Sequence, residues 1–128
     1  MEKYLGEFLG TMVLIVFGNG LGASLNLNKA IAKNFAPSWF TAVFAWGLAV
    51  TLGVYTAGFY NSGGHLNPSV TIAFAIGGSF PWDQVFGYII AQVAGAFVGA
   101  AIITVMYHTH FKETSQEEGN SVGIFATG

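Results

Sequence analysis

Three long segments of this chain are almost free of charged residues. They cover residues 4–25, 39–60 and 85–107, and each can cross the roughly 30 Å hydrocarbon core of a bilayer as a helix. Charged residues make up 8% of the whole chain, whereas a water-soluble domain carries about 25%. So apolar a surface cannot face water, and the sequence predicts an all-α membrane protein with three transmembrane helices in one membrane domain over residues 1–128.

A fourth apolar segment, within residues 62–77, is too short to cross the membrane. Gly63 and Gly64 give it a permissive backbone, and Asn67 before Pro68 is typical of a helix start. The apolar run that follows allows a helix of about ten residues, or roughly 15 Å. A capped helix in a water-soluble protein is the alternative, which the flanking spans disfavour. We therefore predict a re-entrant loop and half-helix, whose backbone is buried by protein or lines a water-filled cavity.

Two polar residues in or beside the spans need partners. A carboxylate inside the membrane costs about 2.5–3.5 kcal/mol, and the sequence has no arginine and no lysine within a span to pair with Glu7. We expect backbone N–H groups of the re-entrant loop to be its donors; the alternative is that Glu7 lies among lipid headgroups. Gln92 needs a hydrogen-bond partner in the re-entrant backbone or on another subunit.

Small residues recur at helical spacing in the first and third spans. Such ladders allow two helices to pack closely in a membrane. They are Gly6, Gly10, Gly18 and Gly22 in the first span, and Gly87, Ala91, Gly95 and Gly99 in the third.

The second span carries an aromatic residue about a third of the way in. Trp46 and Val50 are one turn apart and therefore share a helix face. Trp46 is either an ordinary packing residue or one apolar wall of a pore, against which the carbon-bound hydrogens of a solute can lie.

The remaining composition excludes several classes of function. Residues 108–128 form a polar tail that we expect to be a solvated loop, because His108 and His110 have no third ligand at a convincing spacing. There is no cysteine, which removes disulfides and thiolate metal sites. No nucleophile–base pair can be assembled, so we expect neither an enzyme nor a cofactor. The net charge of −2 argues against a nucleic-acid partner.

Five stretches together resemble the aquaporin family. Residues 64–71 (GHLNPSVT) look like its first Asn-Pro-Ala box, and residues 7–11 (EFLGT) and 92–96 (QVAGA) look like the supporting motifs of the first and third spans. Residues 46–48 (WGL) and 55–58 (YTAG) are similar to the glycerol-facilitator branch. The resemblance covers nearly the whole chain, in order and at compatible spacing.

The chain departs from the family pattern in two ways. Ser69 replaces the alanine of the box, which is tolerable because that side chain belongs to the first helical turn. The family also has two inverted repeats of three spans, and this chain resembles only the first. The second box and its selectivity arginine are missing, since the sequence contains no arginine.

The resemblance implies a passive channel for glycerol, other small neutral polyols and water, in an integral, multi-pass protein of the cell (plasma) membrane that assembles as a homotetramer. Backbone carbonyls of the re-entrant loop would accept hydrogen bonds from solute hydroxyls, and the Asn67 side chain would donate to the passing oxygen. The implied pore residues are Trp46, Val50, Gly63, Gly64, His65, Leu66 and Asn67. Glu7, Pro68 and Gln92 would hold the loop in place.

Three hypotheses remain open for the chain as a whole. It is the first half of such a channel, with the second half absent by truncation, cleavage or a split gene; it pairs with an inverted copy of itself; or it is a non-conducting membrane module. Lys29, Lys33 and Lys112 fall on one side of the predicted topology and Lys3 on the other. By the positive-inside rule this places the N-terminus outside, whereas the family places it inside.

Overall fold

The computed structural model describes residues 1–35, 38–114 and 121–126. Within those ranges the chain is helical and contains no strand. The α-helices are α1 (Glu2–Asn26), α2 (Trp39–Gly58), α3 (Pro68–Ile76), α4 (Trp82–Met106) and α5 (His108–Glu113), and short 3₁₀-helices cover Ile31–Phe35 and Val122–Ile124.

The predicted fold class is confirmed. The helices α1, α2 and α4 are long and apolar enough to cross a membrane, with mean hydropathies of 1.7, 1.5 and 2.2 in their most apolar windows. Between the second and third of them lies α3, which has nine residues and is therefore about half the length needed for a crossing. The largest difference from the expected ends is at α4, which begins at Trp82 rather than at residue 85 because the turn at Pro81 already provides its N-cap.

The helix α1 is central and packs along α4 through glycines on α4. A Cβ atom on Gly95 would lie 3.0 Å from the carbonyl carbon of Phe8 and closer still to its oxygen. One turn further on, a Cβ atom on Gly99 would lie 2.9 Å from the Met12 carbonyl oxygen. The backbones of α1 and α4 therefore touch, as the small-residue ladder of the third span predicted.

The opposite side of α1 packs against α2, again through glycines. A Cβ atom on Gly10 would lie 2.7 Å from the Gly53 carbonyl oxygen, and one on Gly18 would meet the ring of Trp46. The prediction was wrong for Gly22, because no atom of another described segment would lie within 4 Å of a Cβ atom built there. Because a helix has 3.6 residues per turn, each step of four residues moves the ladder by about 40° around the axis of α1. At Gly22 the ladder therefore no longer faces α2.

The polar tail is not the solvated loop that the sequence suggested. Residues 108–113 form α5, and Ile124 is buried against Ala23 and Ile103. The buried side-chain amide of Asn19 donates to the Ile124 carbonyl oxygen. The charged residues of the tail suggested a solvated loop, but its end is apolar and Ile124 is buried. Residues 115–120 and 127–128 lie outside the described ranges.

The turn that follows α1 and the end of α5 meet at the surface. Lys29 Nζ lies 2.5 Å from Glu113 Oε2, and both side chains are largely exposed. The hydrogen bond from Lys29 and its positive charge lower the pKa of Glu113. Lys29 and Lys112 thus lie at the same end of the bundle, as the predicted topology requires.

Candidate functional site

The segment between α2 and α3 runs as extended backbone with three residues in the left-handed region, of which Asn61, with φ of 54°, lies in the turn before the loop. Gly64 has φ of 65°, and Leu66 has φ of 53°, a conformation that costs a residue with a Cβ atom roughly 1–2 kcal/mol. The Leu66 side chain is buried and occupies a slot left by Gly10 and Gly53, each of whose missing Cβ atoms would meet it. Burial of this side chain, worth about 1.5–3 kcal/mol, offsets the backbone strain.

The carboxylate of Glu7 holds this loop from within the bundle. It is fully buried, and both of its oxygens accept hydrogen bonds. Oε1 accepts from the Ser62 hydroxyl and from the backbone N–H of His65 at 2.9 Å. Oε2 accepts from the backbone N–H of Leu66 at 2.8 Å and from Gln92 Nε2 at 2.8 Å. The backbone donors expected for Glu7 are therefore present, and the side chain is not among lipid headgroups.

The partners of Gln92 differ from those expected. Its Nε2 group donates to two side chains, the Glu7 carboxylate and the Thr71 hydroxyl at 2.9 Å, rather than to the loop backbone. Thr71 is on α3 and also lies 3.1 Å from His65 Nδ1. The backbone N–H groups of His65 and Leu66 bind Glu7, and that of Gly64 binds the Ser62 hydroxyl. Gln92 thus connects α4 to α1 and α3 through side chains. Sequence reasoning missed Thr71, although it lies on the turn after the N-cap.

We expect Thr71→Val to loosen this network while preserving the shape of the side chain. The change removes the hydroxyl that accepts from Gln92, and an unsatisfied buried donor costs about 1–3 kcal/mol. The control is Thr104→Val, because Thr104 is exposed and, among the described residues, its hydroxyl bonds only the Ala100 carbonyl of its own helix. Unfolding in mixed detergent micelles, followed by circular dichroism, measures both; equal stabilities would contradict the assigned role of Thr71.

The His65 ring packs among aromatic side chains beside the loop. Its centroid lies 4.9 Å from that of Phe74, 4.7 Å from that of Phe80 and 5.1 Å from that of Tyr88. The sequence indicated only the backbone carbonyl of His65 as functional. These three aromatic residues are spread over α3, α4 and the turn between them, and no motif in the sequence predicts their convergence.

The helix α3 begins as predicted. The Asn67 side-chain oxygen accepts from the Ser69 N–H at 2.8 Å, and Pro68 occupies the first helical position. Asn67 is exposed, and its side-chain NH₂ group has no hydrogen-bond partner among the described residues. One donor is therefore free at the N-terminus of the half-helix.

The extended loop also presents free acceptors. Within the described residues, no donor binds four backbone carbonyls of the loop. These carbonyls belong to Gly63, Gly64, His65 and Leu66. Bare carbonyls in lipid cost several kcal/mol each, so this side of the loop needs water or a polar solute.

Trp46 and Val50 lie apart from the loop, along α2. Trp46 is seven residues before Gly53, which packs beside Leu66, so it is about 10 Å further along the helix axis. Val50 is exposed and lies between Trp46 and Val54, which touches Gly64. Hydrogen bonds therefore join the loop from Gly64 to Asn67 with Glu7 and Gln92 in one network. Gly63 and Pro68 adjoin this network along the chain, and Trp46 and Val50 lie beyond its end.

The fold and the site define an integral membrane protein in which three crossing helices hold a re-entrant loop and a half-helix. The sequence model of the major intrinsic protein family matches residues 1–126. The chain belongs to the major intrinsic protein family, and the resemblance drawn from its sequence motifs is confirmed.

Several relatives match the chain over nearly its whole length. Glycerol uptake facilitator protein 2 of Lactiplantibacillus plantarum is 52% identical over 100% of the chain and 54% of its own length. The probable glycerol uptake facilitator protein of Thermotoga maritima is 45% identical over 100% and 53%. Aquaglyceroporin-2 of Rhizophagus irregularis is 44% identical over 98% and 38%. The chain thus spans about half the length of the bacterial relatives that it matches.

Proposed function

We propose that this chain supplies one half of a passive transmembrane channel for glycerol, other small neutral polyols and water. The observation that carries the proposal is the row of four loop carbonyls, which ends at the Asn67 NH₂ group; none of these groups has a hydrogen-bond partner in the part of the chain that the structure describes. A hydroxyl group both donates and accepts hydrogen bonds. This row offers acceptors in sequence and one donor at its end, so it complements a chain of hydroxyl groups passing along it.

The half-helix α3 contributes the exclusion of cations. Its N-terminus begins at Pro68 and carries roughly +0.5 of an elementary charge. A positive helix end at the narrow part of a pore repels cations and orients water molecules against proton relay. Neutral solutes are not repelled, in agreement with the names of the relatives.

Trp46 supplies an apolar wall about 10 Å beyond the loop, by the rise of α2. The carbon-bound hydrogens of a polyol lie against such a ring while its hydroxyls face the carbonyl row. Val50 continues this wall toward the loop, since it is exposed one turn further along α2.

The open side of the bundle requires a second unit. The four carbonyls have no donor within the described residues, and the relatives are about twice as long as this chain. A second three-span half closes the pore in this proposal, either as another repeat or as a second copy in the opposite orientation. Completed pores would then assemble as homotetramers in the bilayer.

Stopped-flow light scattering on proteoliposomes under a glycerol gradient tests the proposal. One set of vesicles holds this chain alone, and another holds it together with the remaining half of the L. plantarum facilitator as a separate chain. Re-swelling faster than in empty liposomes is expected in the second set. Re-swelling in the first set as well would mean that copies of the chain complete the pore, and no flux in either set would overturn the proposal.

Asn67→Asp tests the donor at the end of the row within the same assay. An aspartate keeps the oxygen that accepts from Ser69 but replaces the NH₂ donor by a negative charge. Because a buried acceptor on the solute would then lose its partner, we expect glycerol flux to fall by about tenfold or more. Asn34→Asp, at an exposed position outside the spans, is the control and should leave the flux unchanged.

A further inference from the structure

The indole ring of Trp46 occupies the space that a side chain at position 18 would fill. Gly18 is buried, and a Cβ atom built on it would lie 2.6 Å from Cη2 and 2.7 Å from Cε3 of the Trp46 ring, with Cζ3 closer still. The three nearest atoms all belong to the six-membered ring of the indole. The ring therefore rests against the bare backbone of α1 at this one residue.

The backbones of α1 and α2 cannot separate easily to make room there. Eight residues earlier on α1, the space beside Gly10 is closed by the Gly53 carbonyl oxygen, and the space beside Gly53 is closed by the Gly10 carbonyl oxygen. This reciprocal backbone contact fixes the distance between the two helices. A methyl group at position 18 would consequently have to displace the ring of Trp46 rather than the helix that carries it.

The burial of neighbouring residues on α2 indicates the direction in which the Trp46 ring can move. Ala49, on the side of α2 that faces α1, is buried, whereas Val50 is exposed on the side proposed to line the solute path. Trp46 itself is only half-buried. Displacement of its ring away from α1 therefore carries it toward the open side.

We propose that Gly18 is a specificity-determining position that sets how far the Trp46 ring projects into the solute path, without itself touching the solute. This inference rests on the proposed channel function. A methyl group at position 18 pushes the ring outward and narrows the path at the level of Trp46. Glycerol is larger than water, so the ratio of glycerol to water permeability falls.

The placement of the ring can be measured without any flux. With Trp39 and Trp82 replaced by phenylalanine, Trp46 is the only tryptophan, and both replaced side chains are exposed. Quenching of Trp46 fluorescence by acrylamide in proteoliposomes is expected to increase in Gly18→Ala. Gly22→Ala is the matched control on the same helix, because no atom of another segment among the described residues would lie within 4 Å of its Cβ, and it should leave quenching unchanged.

The ratio of glycerol to water permeability is measured by stopped flow. The sample is whichever preparation conducts, either this chain alone or this chain together with the second half. Gly18→Ala is expected to lower the glycerol-to-water permeability ratio by roughly tenfold, the effect typical of one misplaced methyl-sized group in a pocket, while Gly22→Ala keeps the ratio. Gly18→Ala combined with Trp46→Phe should restore the ratio, because the smaller ring leaves room for the methyl group. General misfolding would not be rescued in this way.

The outcomes separate the two proposals. Equal quenching in Gly18→Ala and Gly22→Ala overturns the inference, as does an unchanged permeability ratio in a conducting Gly18→Ala variant or a double variant that is not rescued. Absence of flux from the unmodified chain under both conditions overturns the proposed function, and the role in selectivity falls with it. The quenching result would still decide whether Gly18 places the ring.

Discussion

Replacing Glu7 with glutamine is expected to lower the free energy of unfolding in detergent micelles by about 3 kcal/mol. Glutamine has nearly the same shape, but one acceptor oxygen becomes an NH₂ donor. If that group replaces Oε2, Gln92 can turn its amide and present its own unpartnered oxygen, yet the Leu66 N–H then faces a donor. If it replaces Oε1, the Ser62 hydroxyl can rotate to accept, yet the His65 N–H loses its acceptor.

Either orientation leaves one buried backbone N–H without a partner, and the remaining hydrogen bonds lose the contribution of the negative charge. Titration of mixed dodecyl maltoside–SDS micelles, followed by circular dichroism, measures the loss. Glu2→Gln is the control, since Glu2 is exposed on the same helix. Glu7→Asp keeps both acceptors and should lose less stability than Glu7→Gln; equal losses would contradict this account.

Replacing Gly95 with alanine is expected to force α1 and α4 apart. The new methyl group would meet the backbone carbonyl of Phe8, whose carbon lies 3.0 Å from the Cβ position, and a backbone cannot swing aside as a side chain can. Overpacking of this kind costs about 1–3 kcal/mol. We expect the upper end of that range, because the clash lies in the middle of the contact between α1 and α4 and not at its edge.

The control for Gly95→Ala is Gly47→Ala. Gly47 is also inside a long helix, but a Cβ atom there would meet no other segment of the described chain within 4 Å. Alanine should therefore stabilise that helix by up to about 1 kcal/mol through its better propensity. Both variants are compared with the parent chain in the same micelle titration. A Gly95→Ala variant as stable as Gly47→Ala would show that the two helices are free to move apart.

The features that the sequence predicted well are those set by short-range physics. The length of an apolar run decides whether a helix can cross a bilayer, and the Asn67–Pro68 pair marks a helix start through one side-chain hydrogen bond and one fixed dihedral angle. The sequence also predicted that backbone N–H groups would bind Glu7, because no cationic side chain was available in the spans.

The features that the sequence did not predict depend on which distant residues meet. Thr71 is an ordinary helix residue until its hydroxyl is placed beside Gln92, 21 residues away. The aromatic contacts of His65 with Phe80 and Tyr88 likewise require α3 and α4 to be docked. The hydrogen bond between Asn19 and Ile124 joins residues 105 positions apart, and neither composition nor periodicity predicts such a contact.

The hydrogen bonds of Glu7 also impose an order on biosynthesis. The carboxylate leaves the ribosome early, but the Ser62 hydroxyl follows 55 residues later and the Gln92 amide 85 residues later. The loop supplies three of the four donors, and α4 supplies the last. The full set of hydrogen bonds on this carboxylate can therefore form only after all three crossing helices have been made, although Glu7 itself is among the first residues of the chain.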